Sequence, residues 1–376
     1  MQPSHYISRL RLNNFRSYTS AAIDCNHSHI VLCGANGAGK TNILEAISLF
    51  TTGRGLRRAS FSSLGQIDGN SNINTNWAVA LTIETPLGPV DIGTGISADE
   101  KRKVRINGAN ANSIQELSSY IRLLWLTPDM DALFRGSNTD RRRFFDRLVS
   151  TLIPDHSNSI SKYEKAMRQR NKILSDNGDN AWLNAIEAQM ATYGAAIYFA
   201  RIDSLSHLQR MVNESIDENA FPASQLSISP LFEDGYEPTS SSALEAKLTS
   251  HWHDNRHYDK NAGRTTLGPH KLDLKVIHKQ KNIPAALCST GEQKALLIGL
   301  ILAHARLVKK MSAITPILLL DEIGAHLDEQ RREALYNSLD ALKAQCWMSG
   351  TDKMLFETLN NRALMYDVQL GQINAS

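Results

Sequence analysis

The chain has 376 residues, of which 42% are apolar and 21% charged, the composition of an ordinary globular protein and not of a disordered or fibrous one. Its 41 Lys and Arg against 38 Asp and Glu leave a formal charge of +3, which excludes a strongly basic protein that coats nucleic acid along its length. The longest apolar stretch, residues 295–303, falls short of the roughly 18 to 20 residues that cross a bilayer, and the start MQPSHYISRLRL lacks the apolar block of a signal peptide. A soluble protein with no membrane partner is expected. Cys25, Cys33, Cys288 and Cys346 form no CxxC pair, which argues against zinc and against a disulfide framework and points to the reducing cytoplasm.

Residues 7–15 read as a strand and residues 29–33 as a buried strand. Directly after the second strand, Gly34-Ala35-Asn36-Gly37-Ala38-Gly39-Lys40-Thr41 fits GxxxxGK[ST], and Asn42 continues it as the helical NILEAISLF. Strand, glycine-rich turn and helix are the context this pattern needs. Backbone N–H groups wrap a β-phosphate, and the helix N-terminus adds partial positive charge. Lys40 then reaches the β and γ oxygens, and the Thr41 hydroxyl ligates Mg²⁺. The expected cofactors are ATP and Mg²⁺; the plain alternative is a flexible glycine-rich turn.

Residues 78–83 and 90–96 flank TPLGP as a hairpin, so the N-terminal part is β-rich. From residue 140 to about 219 the spacing turns helical, with polar breaks at DHSNS (155–159) and SDNGDN (175–180). A loop-rich stretch at 232–239 and a strand at 272–277 follow. Ser289-Thr-Gly291-Glu-Gln293 then opens an apolar helix over 291–308. Taken alone it is an N-cap with a capping-box glutamate. Upstream of a carboxylate pair it reads as an ABC-type signature, whose serine and helix N-terminus bind the γ-phosphate held by a second subunit.

Residues 317–320 (ILLL) suit a doubly buried strand and end in Asp321-Glu322, at the strand edge where parallel α/β sheets place their ligands. Asp321 is expected to hold Mg²⁺ through water and Glu322 to deprotonate the attacking water; the bland alternative is an acidic helix start. About 280 residues separate Lys40 from Asp321, farther than in GTPases or RecA-like motors, so a domain is inserted between them. Residues 323–328 take the place of the D-loop, with Asp328 equally readable as the N-cap of a helix over 328–343. Strands near 346–348 and 363–370 complete the chain. Where transport ATPases carry a switch histidine, the sequence has Thr351, which brings no charge, so slow hydrolysis is expected.

The stretches LRLNNFRSY (10–18), GANGAGKTNILEAI, RGLRRA (54–59), RING (105–108), LTPD (126–129), DRRRFFD (140–146), GPHKLD (268–273), STGEQ and LLLDEIGAHLD together resemble the RecF family, recombination mediators related to SMC-type head ATPases. The resemblance implies an α/β, ABC-type (SMC-head-like) P-loop ATPase lobe built from both chain ends, 1–125 and 266–376, with an inserted mainly helical second lobe, 126–265. It implies an ATP-induced homodimer that clamps DNA at single-strand gaps or junctions in replication-linked repair. Slow, DNA-stimulated ATP hydrolysis would release the clamp, and RecR/RecO-type proteins would be partners. Carried over by residue, Asn36 to Thr41 bind nucleotide, Lys40 and Glu322 are catalytic, Thr41 and Asp321 hold the metal, and Ser289 and Gly291 reach across the dimer. Arg16 either approaches the nucleotide from outside the loop or is a solvated strand end. Lys271 and Leu272 depart from the family pattern, as does the sequence STGEQ.

Phosphate contacts need local charge, not net charge. Basic clusters lie at Arg54, Arg57 and Arg58; Lys101, Arg102, Lys103 and Arg105; Arg141, Arg142, Arg143 and Arg147; and Arg168, Arg170 and Lys172. Arg57, Arg58 and Lys101 to Lys103 are the first candidates for DNA. Arg141 to Arg143 open a helix against its dipole, which hints at another use. Binding is expected to follow the backbone of single- or double-stranded DNA with a steep salt dependence. A membrane-transport ATPase subunit would instead carry a glutamine and a histidine where this chain has LTPD and SGTD, and a non-hydrolysing ATP sensor is the third reading.

Overall fold

Alternating apolar and polar residues make β1 (Tyr6–Phe15), with Ile7, Leu10, Leu12 and Phe15 inward and Arg9, Arg11 and Asn13 outward. The alternation slips once, at a bulge between Ile7 and Arg9. The computed structural model describes residues 4–26, 29–67, 73–74, 76–97, 101–214, 220–359 and 362–375. After β1 come β2 (Tyr18–Asp24), β3 (His29–Cys33), α1 (Lys40–Ser48), β4 (Trp77–Thr85), β5 (Gly88–Ile96), β6 (Arg102–Ile106), β7 (Ala109–Asn110) and β8 (Leu123–Leu126). The strands β2-β1-β4-β5-β6-β7 form one antiparallel sheet, with β4 and β5 closed as the expected hairpin.

The helical stretch resolves into α2 (Asn138–Leu152), α3 (His156–Ser175) and α4 (Asn180–Glu214). The first break is shorter than DHSNS, because Pro154 ends one helix and the next begins at His156. The expected helical residues 215–219 lie outside the described residues. Then follow β9 (Ser224–Ile228), α5 (Ser241–Asp254), α6 (Arg256–Asn261), β10 (Leu274–His278), β11 (Ile283–Pro284), α7 (Thr290–Ser312), β12 (Ile317–Leu320), α8 (Glu329–Leu342), β13 (Cys346–Gly350), β14 (Ala363–Gln369) and β15 (Gln372–Ala375). No helix among the described residues is long and apolar enough to cross a membrane.

The second six-stranded sheet runs β15-β14-β3-β13-β12-β8. Its five strands from β14 to β8 are parallel, and β15 is an antiparallel edge. The C-terminal ends of β3, β13 and β12 therefore emerge side by side on one edge. Helix α1 touches β13 of this sheet and β4 of the other, so Ile43, Leu44, Ala46 and Ile47 are completely enclosed. Ile43, Leu44 and Ile47 each contribute about 1.5 to 3 kcal/mol, which fixes the helix start to the ends of the parallel strands.

The chain divides into two compact units, Met1–Asp131 with Glu214–Ala223 and Ser289–Ser376, and Ala132–Asn213 with Ser224–Cys288. These limits differ from those expected. Residues 266–288 fall in the second unit because β10 pairs with β9 and β11 in a three-stranded antiparallel sheet. Residue 126 stays in the first because Leu126 is the register partner of Leu320. The second unit packs Tyr163, Met190, Leu248 and Trp252 into one core and also encloses the Arg170 side chain completely. Arg170 donates to Glu187 at 2.8 Å, Asp259 at 2.6 Å and Thr265 at 2.9 Å, which removes it from the DNA-facing cluster in which its sequence neighbours placed it.

Candidate functional site

The turn leaving β3 can only be made of glycine at two points. A Cβ on Gly34, at φ +157°, would lie 2.3 Å from the Val368 carbonyl oxygen. One on Gly39, at φ +112°, would lie 2.7 Å from the Tyr18 hydroxyl. Tyr18 donates that hydroxyl to the Gly39 carbonyl at 3.2 Å, fixing the loop where α1 begins. Lys40 is buried and folds back over the loop, its Nζ donating to the carbonyls of Gly34 at 2.6 Å and Ala35 at 2.9 Å. Asn36, Gly37 and Ala38 form the bend between them, with the Ala38 amide bonded to the Ala35 carbonyl at 3.2 Å.

The two carboxylates leave β12 on the same edge. Thr41 donates to Asp321 Oδ1 at 3.0 Å, joining groups 280 residues apart. Ser349, on β13 between them, donates to the same Oδ1 at 2.6 Å and accepts the Glu322 backbone N–H at 3.0 Å. Burial, and next to it the neighbouring Glu322, push the Asp321 carboxyl above its ordinary range, against the hydrogen bonds from Ser349 and Thr41. Glu322 adopts φ +52° and ψ +31°, a left-handed conformation that costs a non-glycine residue about 1 kcal/mol or more. Thr351, at the switch-histidine position, is exposed.

Arg16 lies where its strand ends, but its guanidinium is committed. Nε and Nη2 donate to the two oxygens of Glu45 at 2.9 and 2.8 Å, and Nη1 donates to the Ser63 carbonyl at 2.9 Å. The structure therefore makes Arg16 the clamp of a buried carboxylate on α1 and not a solvated strand end. Arg57, assigned to DNA from sequence, is drawn to the same place: its Nη1 donates to Asn42 Oδ1 at 2.8 Å and lies 3.5 Å from Glu45. It thus stands beside the phosphate loop, and its charge reaches Asp321.

Two more of the DNA candidates are structural. Arg102 donates to Leu49 O, to Thr94 Oγ1 at 2.9 Å and to Gly53 O at 3.3 Å, and covers the Phe61 ring at 4.9 Å; burial pushes its pKa down to about 10. Arg141 grips Asp273 through two bonds of 2.8 Å and reaches the Gly136 carbonyl at 2.7 Å. That is the other use for a cation at a helix start, where Ser137 provides the cap. Half-buried Arg142 donates to the Leu272 carbonyl at 3.3 Å. Arg58, Lys101, Lys103 and Arg143 are exposed.

Ser289 caps α7 in a full capping box, accepting from the Glu292 amide at 3.4 Å while its own amide donates to the Glu292 carboxylate at 3.0 Å. It is exposed at the helix tip, and Gly291 is partly exposed. Asp328 caps α8, accepting from the Arg331 amide at 2.8 Å. The side chains of Ala325 and His326, within the expected D-loop, lie outside the described residues.

Residues 6–374 match the family model "RecF/RecN/SMC N terminal domain". A protein named DNA replication and repair protein RecF from Rhizobium leguminosarum bv. trifolii (strain WSM2304) is 46% identical over 371 residues, 98% of each chain. Its namesake from Mesorhizobium japonicum (strain LMG 29417 / CECT 9101 / MAFF 303099) is 47% identical over 377 residues, covering 99% of this chain and 98% of that one. Among solved structures, the recombination mediator protein RecF-ATPrS of the RecFOR pathway superposes with a TM-score of 0.86 at 20% identity, covering 100% of this chain and 99% of that one. An SmcHead bound to the C-winged helix domain of ScpA gives 0.56 at 16% identity, covering 99% and 97%.

Proposed function

The chain belongs to the RecF family, and from that premise we propose that it is an ATP-dependent, DNA-binding recombination mediator that acts in replication-linked DNA repair. Its fold is that of the ABC-type, SMC-head-like ATPases. The observation that carries the proposal is the meeting of Thr41, Asp321 and Ser349 at the ends of three adjacent parallel strands, beside a loop that only glycine can build. That is a phosphate cradle with an acidic edge, and it fits a nucleoside triphosphate with its metal.

The donor set suits Mg²⁺. Thr41 and Asp321 offer hard oxygens 3.0 Å apart, and the raised pKa of the buried Asp321 marks a carboxylate that a cation would relieve. The ion, when bound, neutralises charge on the β and γ oxygens. Lys40 swings from the carbonyls of Gly34 and Ala35 onto those oxygens, while backbone N–H groups of the loop hold the β-phosphate. Glu322 accepts a proton from water as the water oxygen bonds to the γ-phosphorus and the bond to the bridging oxygen breaks, releasing ADP and phosphate. With uncharged, exposed Thr351 at the switch position, turnover is slow and DNA stimulates it.

Ser289, exposed at the tip of α7, and the partly exposed Gly291 cap the γ-phosphate held by a second copy, so ATP makes the homodimer and hydrolysis releases it. The dimer clamps single- or double-stranded DNA at gaps or junctions, in the cytoplasm, with RecR/RecO-type proteins as partners. Its phosphate contacts come from exposed Arg58, Lys101, Lys103 and Arg143. Arg57 moves from the DNA set to the phosphate loop. The test is binding of a fluorescent ATP analogue with Mg²⁺, followed by gapped-DNA binding with ATP or ADP. The wild type should bind both, with DNA affinity greater in ATP; Lys40→Ala should lose nucleotide affinity and the ATP effect together. DNA affinity indifferent to nucleotide would refute the proposal.

A further inference from the structure

In a site without a switch histidine, β13 carries a side chain that reaches both acidic residues. Sheet order places this strand between β3, which carries the phosphate loop, and β12, which carries the carboxylates. In register, Met348 faces Leu320 and Ser349 faces Leu32, so Ser349 stands level with Asp321, one step past the end of β12. Its side chain is completely buried.

We infer that Ser349 is a positioning residue that sets both carboxylates of the site at once, Asp321 through its side chain and Glu322 through its backbone. The inference rests on the ATP-hydrolysing reading above. A hydroxyl has one proton to give and can accept in return. Ser349 spends that proton on Asp321 Oδ1 at 2.6 Å and receives the Glu322 amide at 3.0 Å. On Oδ1 it meets the Thr41 hydroxyl at 3.0 Å, so two donors, one from the first turn of α1 and one from β13, hold the carboxylate in place.

The second bond matters as much. Glu322 sits in the left-handed region without being glycine, a strained conformation that persists only where its surroundings hold it. The Ser349 oxygen is the acceptor on its amide. That one bond ties the backbone orientation of the proton-accepting residue to the strand that also orients the metal carboxylate. Alanine removes both restraints. Cysteine keeps a similar volume but offers only a weak donor, and threonine keeps the hydroxyl.

The experiment measures the Mg²⁺ concentration that half-saturates binding of a fluorescent ATP analogue, together with kcat and melting temperature, for wild type, Ser349→Ala, Ser349→Cys and Ser349→Thr. Groups that orient a metal ligand typically change affinity or turnover by about 10- to 100-fold when removed. Ser349→Ala and Ser349→Cys should both raise the Mg²⁺ requirement and lower kcat by about that factor, and Ser349→Thr should remain near wild type. If Ser349→Ala does not fold, the contrast between cysteine and threonine decides. A cysteine variant with wild-type Mg²⁺ requirement and kcat, or an alanine variant changed only in melting temperature, would overturn the inference while the wild-type reading stands. A wild type that binds no Mg-ATP would instead remove the reading itself, and this inference with it.

Discussion

Replacing Glu45 by glutamine removes one negative charge from the middle of α1 while keeping the shape of the side chain. Glu45 is fully buried, whereas the side chains of its partners Arg16 and Arg57 are 22% and 43% exposed. Breaking a buried ion pair from one side costs about 3 to 5 kcal/mol. Water screens Arg57, and glutamine retains one acceptor for the two-bond grip of Arg16, so the lower end, about 3 kcal/mol, is expected. At about 2 to 4 °C per kcal/mol for a unit of this size, the melting temperature should fall by about 6 to 12 °C. Differential scanning calorimetry of wild type, Glu45→Gln, Arg16→Gln and the double variant measures both the loss and the coupling. The two single losses should not add, leaving a coupling of at least about 1 kcal/mol. Additive losses, or a melting temperature unchanged within about 2 °C, would show that the pair is screened and that Arg16 is available for something else.

Arg141→Ala should destabilise the second unit by about 2 to 4 kcal/mol without altering the salt slope of DNA binding, because both of its bonds to Asp273 are lost; Lys101→Ala with Lys103→Ala should do the opposite, lowering the slope by about 2 with little change in melting. A slope that responds to Arg141 and not to the lysines would reverse these assignments. His270 carries a pH dependence. Burial pushes its pKa from 6.5 down to about 4, with Nδ1 accepting from the Tyr163 hydroxyl at 2.8 Å and Nε2 donating to the Thr265 carbonyl at 3.1 Å. As pH falls from 6.5, the unfolded chain takes up the proton first, so stability present above 6.5 is lost by about pH 4, to the extent of roughly 3 kcal/mol. His270→Asn should remove that part of the pH dependence from urea melts; curves parallel to wild type would refute it.

The parts of the fold that were legible in the sequence are those whose residues carry their own constraint. An all-apolar run such as Ile317–Leu320 announces burial on both faces, and the glycines of 34–39 announce a turn that side chains would block. LLWL over β8 was not legible, because four apolar residues suit a helix as well as a strand until β12 pairs with them. The second unit's sheet was hidden for the same reason: β9 and β10 find each other across the helices α5 and α6. Charge misled most. The partners of Arg102 are the Thr94 hydroxyl and the carbonyls of Leu49 and Gly53, and the partner of Arg141 is 132 residues away, so runs of basic residues gave no hint of which were already committed. Ser349 carried no signal at all; only the order β3-β13-β12 brings it between the two halves of the nucleotide site.

The ATP-bridged pair of subunits is tested most directly by light-scattering mass of Glu322→Gln, which should bind Mg-ATP without turning it over. The chain mass of 41.7 kDa, seen without nucleotide, should double with saturating Mg-ATP and return to 41.7 kDa when Ser289→Arg is added. A mass that stays at 41.7 kDa with nucleotide bound, or a doubling that ignores residue 289, would contradict the account.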